Sequence, residues 1–387
     1  MPPIRPPGSG RKARAKRRRE QSKNDAHLLH APWLHGNTRP GRLAKLDMAC
    51  QYLGLPMFAS NPQKSAEAWP WVQQSADTCS GVAVDIGIGD DPCTTLELAA
   101  CLAKAKDDKA FGCSRLIGTD LDEKRLESAR SLVGNKDTPR GDHVLIDFCQ
   151  AKGFDLSSLL PKDKPLLLIR ALNVLRDYHI HDASKALYQL HDQLTMGGVL
   201  VEGSCSPSGH LLVVIVICKQ QPQDENEALA IHAVIFAAKV DEMDELDTSS
   251  PAVWFQRHLP RIWRQSCRHD EGSKSVHPKA ETMPWASKVC EFLYDWDTSY
   301  SQSVLGVDTP NIKPRQRFLE SVTALVDQRR NGTLGGNGSI RDIIMDDWIE
   351  DGVLIWKPSK DRPLTVPRAE HTLKRQTHGQ KRHHDDV

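Results

Sequence analysis

The stretch Gly81-Val82-Ala83-Val84-Asp85-Ile86-Gly87-Ile88-Gly89-Asp90-Asp91-Pro92-Cys93-Thr94-Thr95-Leu96-Glu97 decides the fold. Val82 to Ile86 is a short apolar run that stops at Gly87 and Gly89. From Thr94 through Leu96, Leu98 and Leu102 the apolar residues recur at helical spacing, so the segment reads strand, glycine turn, helix. Glycines at such a turn let the backbone approach a ligand with no Cβ in the way. Thr94 or Thr95 is expected to cap the helix.

The same alternation continues outward. Arg115 to Asp120 reads as a strand, followed by a helix from Asp122 with Leu126 and Ala129 inside. Further strands are expected at 144–146, 166–169, 198–203, 211–218 and 230–237, with a helix at 183–194 between the fourth and fifth. Near-continuous apolar strands alternating with helices predict an α/β fold, a Rossmann-like parallel sheet covered on both faces. After residue 250 the pattern turns helical, over 252–263, 285–296 and 315–326. A flexible break is expected at 331–338, and 340–356 reads as a last helix and short strand. Upstream, 41–53 has helical spacing. The expected organisation is a basic tail at 1–24, a helical segment at 25–80 and a ligand-binding core at 81–240. A mainly helical extension at 241–357 and a second tail at 358–387, expected to be disordered like the first, complete it.

In open α/β sheets ligands bind at the carboxyl ends of the strands, where the strand order reverses. The loop after the first strand is therefore the place to look. A phosphate loop needs G-x-x-x-x-G-K-[ST], which is absent. A dinucleotide loop wants a third glycine, but Pro92 stands there, and Asp90 and Asp91 would repel a pyrophosphate. An acidic loop suits a cationic ligand, and S-adenosylmethionine carries a sulfonium, an ammonium and no phosphate. Asp120, ending the second strand, can accept hydrogen bonds from both ribose hydroxyls. Asp122 reads as the cap of the next helix. Asp85 can orient the loop and meet the ligand's amine, and Phe154 can stack on adenine.

At this point the chain resembles the class I S-adenosylmethionine-dependent methyltransferases over roughly residues 80–240. The residues that carry the likeness are Val84-Asp85-Ile86-Gly87-Ile88-Gly89, Gly118-Thr119-Asp120-Leu121-Asp122 with Leu126 to Arg130, Gly153-Phe154-Asp155-Leu156, and Met196 to Gly203. Thr94 to Ala99, Arg170 to Tyr178 and Val201 to Cys205 look like a mainly bacterial subgroup whose substrate is not established. The resemblance implies S-adenosylmethionine as cofactor, held by Asp85, Gly87, Gly89, Asp120, Phe154 and Arg170. It implies direct methyl transfer, and it does not name an acceptor. Asp85 and Asp120 stand 35 residues apart, more than is usual, and the surplus is assigned to the loop around Asp107-Asp108-Lys109.

Polar residues ending buried strands need a reason, because burying them unpaired is costly. Arg170, Asn173 and Glu202 are the catalytic candidates, with an Arg170–Glu202 pair preferred. Cys205 stands in a string similar to that around the nucleophilic cysteine of RNA cytosine-5 methyltransferases. The Pro-Cys pair of those enzymes is missing after the fourth strand, so a buried structural cysteine is favoured. The Asp/Asn-Pro-Pro-aromatic string of base amino-methylation is also missing. No clustered carboxylate set suggests a metal. His179 and His181 read as surface loop residues. The aromatic residues beyond 250 read as packing, with a share of them as candidates for an acceptor pocket.

The chain has 387 residues, with 39% hydrophobic and 26% charged, enough for a sizeable core despite a mean hydropathy of −0.48. No run approaches the ~18–20 apolar residues of a membrane span. No apolar leader stands at the N-terminus, so a cytoplasmic or nuclear location is expected, with the ten cysteines reduced. None of the cysteines forms a C-x-x-C pair, which argues against a zinc ribbon. The net charge of +1 hides an asymmetry: residues 1–24 hold nine Lys/Arg and one Glu, while 358–387 hold seven basic and four acidic residues. The body between them is acidic and carries no nucleic-acid footprint. A small-molecule acceptor is favoured over nucleic acid, with residues 1–24 read as an address signal or an inert tail ahead of a weak nucleic-acid contact, and no membrane partner.

Overall fold

The computed structural model describes residues 40–55, 57–58, 81–106, 113–134, 144–206, 208–220, 229–243, 250–256, 258–264, 284–302, 312–331, 343–344, 349–358 and 364–366. The basic tail at 1–24, the loop at 107–109 and all but the first residue of the 331–338 break lie outside them.

The elements run α1 (Ala44–Tyr52), β1 (Gly81–Ile86), α2 (Cys93–Lys106), β2 (Cys113–Asp120), α3 (Glu123–Gly134), β3 (Leu145–Gln150), β4 (Leu166–Leu172) and, after a 3-10 turn at Leu175–Asp177, α4 (Ile180–Gln193). Then come β5 (Val199–Cys205), β6 (Leu211–Cys218), β7 (Leu229–Ala238), α5 (Pro251–Gln256), α6 (Arg261–Arg264), α7 (Pro284–Gln302), α8 (Pro314–Arg330), β8 (Ile343–Ile344), β9 (Val353–Trp356) and β10 (Leu364–Val366).

One ten-stranded sheet has the order β3-β2-β1-β4-β5-β6-β7-β9-β8, with β10 also on β7. Strands β1 to β5 are parallel, and the order reverses between β1 and β4. This is the Rossmann-like doubly wound arrangement, with its switch point beside the Gly87–Gly89 loop.

Beyond β5 the all-parallel expectation fails. β6 is antiparallel to β5, and β7 to β6. Only residues 206–210 separate β5 from β6. A parallel return needs a crossover of a dozen or more residues, so five allow only a hairpin.

Period-two alternation sorts the side chains onto two faces. On one face α1 and α2 bury Leu46, Cys50, Leu98 and Leu102 against Ala83, Val201, Val214 and Ile235. On the other, α4 to α8 bury Leu187, Phe255, Trp263, Trp296 and Phe318 against Val84, Ile169, Ile215 and Phe236. A smaller cluster seats α3, through Leu126 and Ala129, on Ile88 and Phe148.

Two expectations for the C-terminal part need correction, and a third lies largely outside the described residues. The single helix expected over 252–263 is two, α5 and α6, because Pro260 lacks an N–H and disfavours helix at the residue before it. Of the last helix and short strand expected over 340–356, the strand is β9, while 340–342 and 345–348 lie outside the described residues. The 358–387 tail contributes β10, whose Leu364 and Val366 are buried against Ile231 and Leu229 of β7.

Candidate functional site

The Gly87–Gly89 loop folds over the end of β2. The N–H groups of Gly87 and Ile88 donate to the Thr119 carbonyl at 2.8 and 3.2 Å, and Gly89 N–H donates to Asp120 Oδ2 at 3.1 Å. Gly87 and Gly89 have φ of +77° and +74°. The positive φ favours glycine at Gly87, and a Cβ there would also press on Val174 Cγ2 at 3.0 Å. Four of the residues singled out from sequence, Asp85, Gly87, Gly89 and Asp120, therefore meet at the switch point.

Asp120 is 8% exposed. Its Oδ1 accepts from Asp122 N–H at 3.0 Å and from Arg125 Nη1 at 3.3 Å. Arg125 also reaches Asp90 at 2.7 Å, tying the acidic loop to α3. A carboxylate has about four acceptor positions, so three are taken and one is left for a ligand. Asp122 caps α3 as expected, accepting from Lys124 N–H at 3.0 Å. For α2 the cap is Asp91, which accepts from Cys93 N–H at 2.9 Å. The Thr95 hydroxyl instead donates to Asp85 Oδ2 at 2.7 Å.

Arg170 and Glu202 do not pair. In the β4–β5 register Arg170 stands opposite Val201 and Glu202 opposite Ala171, so alternation sends the two side chains to opposite faces. In the β1–β4 register Arg170 stands beside Asp85. The guanidinium grips that carboxylate with Nε–Oδ1 at 2.9 Å and Nη2–Oδ2 at 2.8 Å. Arg170 Nη2 also donates to the Thr94 carbonyl at 2.8 Å, and Nη1 lies 3.6 Å from Asp47 of α1. Both Arg170 and Asp85 are buried, and the bidentate pair sits beneath the loop as its base. Burial pushes Asp47 up to about 7 against the pull of Arg170.

Glu202 faces the α4–α8 side, 2% exposed, and its Oε2 has no hydrogen-bond partner. Burial alone pushes its carboxyl up to about 8, so it is protonated at neutral pH. Asn173 ends β4 with φ +62°, the one non-glycine residue with positive φ among the described residues. Its Oδ1 accepts from Cys205 N–H at 2.9 Å and its Nδ2 donates to Cys205 Sγ at 3.0 Å, which locks the strained residue to the end of β5. Cys205 is buried, as expected, but it also lines the cavity described next.

A cavity of about 40 Å³ opens at the carboxyl ends of β1, β4 and β5, lined among others by Arg42, Asp85, Gly87, Thr94, Asn173 and Cys205. Arg42 was missed from sequence. It precedes α1, 9% exposed, and reaches the Ser206 carbonyl at 3.3 Å through Nη2. Gly209 of the β5–β6 hairpin makes room for it: a Cβ there would lie 2.7 Å from Arg42 Cγ. No local pattern in the sequence could reveal that approach across more than 160 residues of chain.

Phe154 follows the end of β3. Its ring tilts against Tyr178 with centroids 5.6 Å apart, on the α4 side. The residues next to Asp120 at the end of β3 are Gln150 and Ala151: Ala151 N–H donates to the Asp120 carbonyl at 3.4 Å, and Gln150 Nε2 to that of Leu121 at 2.9 Å. His179 is exposed, as expected of a surface residue. His181 belongs to the first turn of α4 rather than to a loop, and lies 3.5 Å from Asp182. Most of the large residues after 250 pack in the core, among them Trp254, Phe255, Trp263, Phe292 and Trp296. Among the described residues no group of acids, histidines and cysteines is placed to hold a metal ion. No described helix is long and apolar enough to cross a membrane. Seven described cysteines are free, but Cys290 is disulfide-bonded, which corrects the reading of all ten as reduced.

Fold and loop together define the class: a doubly wound α/β protein with a glycine cradle and a strand-end acid at its switch point. No protein-family profile matches the chain, and no curated protein does. Among solved structures it is similar to a SAM-dependent methyltransferase from Methanosarcina mazei, at 15% identity over 35% of this chain, with a TM-score of 0.26. It is similar to an rRNA methylase from Streptococcus thermophilus, at 14% identity over 37% of this chain and 71% of that one, with a TM-score of 0.23. A third is magnesium protoporphyrin IX methyltransferase from Synechocystis, at 16% identity over 41% of this chain and 58% of that one, TM-score 0.23. The match spans 57% of the Methanosarcina protein. Likeness at this level carries no argument about activity.

Proposed function

We propose that the chain is an S-adenosylmethionine-dependent methyltransferase acting on a small-molecule acceptor. The observation that carries the reading is the paired positive-φ glycines at the switch point, the second of which, Gly89, donates its N–H to the acid that ends β2. The residues present fit the group: a backbone cradle a Cβ would fill, a carboxylate with an acceptor position left for a ribose hydroxyl, and a buried cation beside them. Acids at 90 and 91 favour a cationic nucleoside over a pyrophosphate.

When bound, S-adenosylmethionine supplies a methyl group activated by its sulfonium, passed directly to a nucleophile as the sulfur leaves as a neutral thioether. The chain's contribution is positioning. Gly87 and Gly89 present backbone, and Asp120 accepts from the ribose. Asp85 is a positioning residue whose carboxylate is set by Arg170 and Thr95, with one acceptor position on Oδ1 left for an amine. Arg170, buried and gripping Asp85 beneath the loop, acts through that carboxylate and not by touching ligand. Phe154 with Tyr178 offers an apolar wall for the adenine. Asn173, held at the end of β4, borders the acceptor side. Glu202, neutral at pH 7, is suited to donating a hydrogen bond on the opposite face of the sheet.

Titrating S-adenosylmethionine and S-adenosylhomocysteine into the full chain by calorimetry tests the reading, beside Asp120→Ala. Micromolar binding that is lost in the variant is the expected result. A folded wild-type chain that binds neither compound overturns it and leaves a non-catalytic scaffold of the same fold. Salt-dependent RNA binding lost on removing residues 1–24 points instead to an RNA methyltransferase recruited by its tail.

A further inference from the structure

Asp47 of α1 is buried where acids outnumber bases. It is 5% exposed, and around it stand Arg170 of β4, Asp85 of β1, and Glu97 and Cys101 of α2. Three carboxyl groups thus share one guanidinium. Arg170 has committed Nε and Nη2 to Asp85, and Nη2 also to the Thr94 carbonyl. Its Nη1 faces Asp47 Oδ1 at 3.6 Å, beyond hydrogen-bond length, and neither atom has a hydrogen-bond partner. Glu97 is engaged at the entry to α1, accepting from Gly41 N–H at 2.6 Å.

Among the described residues Arg170 is the one cation within ion-pair reach of Asp47. Cys50 lies one turn along α1, and the Cys101 thiol is hydrogen-bonded to the Asp47 carboxyl. Lys45 of α1 is held at the surface by the Asp351 carbonyl at 2.5 Å, and Arg42, ahead of α1, by that of Ser206. α1 also packs on β7 and β9, whose residues in that layer, Ala233, Ile235, Ala237, Val353 and Ile355, are apolar.

A second carboxylate on a guanidinium already paired is a like charge beside Asp85, and such a site keeps a proton. Burial, ahead of the pull of Arg170, raises the Asp47 carboxyl to about 7. Docked α1 therefore holds a proton that an undocked α1, with Asp47 in water at its ordinary 3.8, gives up. Docking is firm in acid and weakens as pH rises toward 7.

We propose that Asp47 is a proton-operated catch on α1. With its proton, the neutral carboxyl rests beside Arg170 and α1 lies closed on the sheet. Without it, a charge repelled by Asp85 and Glu97 loosens the helix. Arg42 and Leu43, which lead into α1, line the cavity at the carboxyl ends of β1 and β4, so opening α1 removes one wall of it. The catch governs access to the site whichever ligand the loop takes.

Hydrogen exchange on the full, ligand-free chain tests it, read as protection factors from about pH 5 to 8.5 so that the intrinsic pH dependence of exchange drops out. Peptides from α1 are compared with peptides from β5. In wild type, α1 protection is expected to fall about tenfold per pH unit between about pH 5 and 7 and to level off above about 8, with β5 unchanged. Asp47→Asn, neutral at every pH, is expected to keep α1 protection constant. Glu97→Gln removes one repelling acid and keeps an acceptor for Gly41, and is expected to move the fall to lower pH. Wild-type α1 protection that does not change with pH overturns the proposal, and so does a slope that Asp47→Asn retains. Parallel loss in α1 and β5 also overturns it, as global unfolding rather than release of one helix. If Asp47→Asn fails to fold, Glu97→Gln decides alone, and a fall left at the wild-type pH overturns the catch.

Discussion

Glu202 and Arg170 show what position on a strand does to a charge. They stand on adjacent strands, one residue apart in register, yet one is clamped between two acids and the other faces an apolar layer alone. Removing one partner of a buried pair such as Arg170–Asp85 typically costs about 3–5 kcal/mol, because the survivor stays buried and charged. Glu202 carries a different cost. Its carboxyl is raised to about 8 in the fold and returns to 4.5 when the chain unfolds. The native state therefore binds the proton more tightly. Stability from this group is full below about pH 4.5 and falls as pH rises toward 8, by about 1.4 kcal/mol per pH unit. Glu202→Gln is expected to match wild type in urea denaturation at pH 4 and to be the more stable protein at pH 8. Equal pH slopes for the two would count against a lone buried carboxyl.

At the scale of elements, the C-terminal helices are fixed by aromatic packing on the antiparallel end of the sheet. Phe292 of α7 lies stacked between Trp356 of β9 and Phe236 of β7, with centroids 4.3 and 5.5 Å away. Trp296 Nε1 donates to Ser321 Oγ at 3.0 Å, joining α7 to α8. Phe292→Ala is expected to cost about 3–5 kcal/mol in chemical denaturation, as large-to-small core changes do. Its affinity for S-adenosylmethionine is expected to stay at the wild-type value, since β7 and β9 lie at the other end of the strand order from β1. Element reading from sequence worked where periodicity was strong. β6 spans Leu211–Cys218, the run its apolar residues mark. It failed for β8 and β10, two and three residues long, too short to show a period and formed only because β9 and β7 offer open edges.

Over the whole molecule, the far edge of β7 is covered end to end by two short strands. β9 pairs with Val234–Ala237 and β10 with Leu229–Ile231. Tyr188 of α4 secures the second: its hydroxyl donates to the Val366 carbonyl at 2.8 Å and accepts from Leu229 N–H at 3.2 Å. Ending the chain at Pro358 removes β10 and leaves a row of unpaired strand groups, a template for pairing with another chain. The shortened protein is expected to self-associate in light scattering at concentrations where the full chain does not. Unchanged scattering and melting temperature would show that β10 is dispensable.

The sequence by itself determined the parallel half of the sheet and the four residues at the centre of the candidate site. Asp85, Gly87, Gly89 and Asp120 act through local chemistry: a glycine turn needs positive φ wherever it lies, and an acid ending the second strand falls beside the loop that ends the first. Tertiary structure alone decided the partners. Register put Arg170 against Asp85 and away from Glu202. A five-residue hairpin turned β6 antiparallel. Chain folding brought Arg42 across to Gly209 and the cavity. Each of these depends on which strand lies next to which, a long-range outcome of burying apolar faces that no short window of residues encodes.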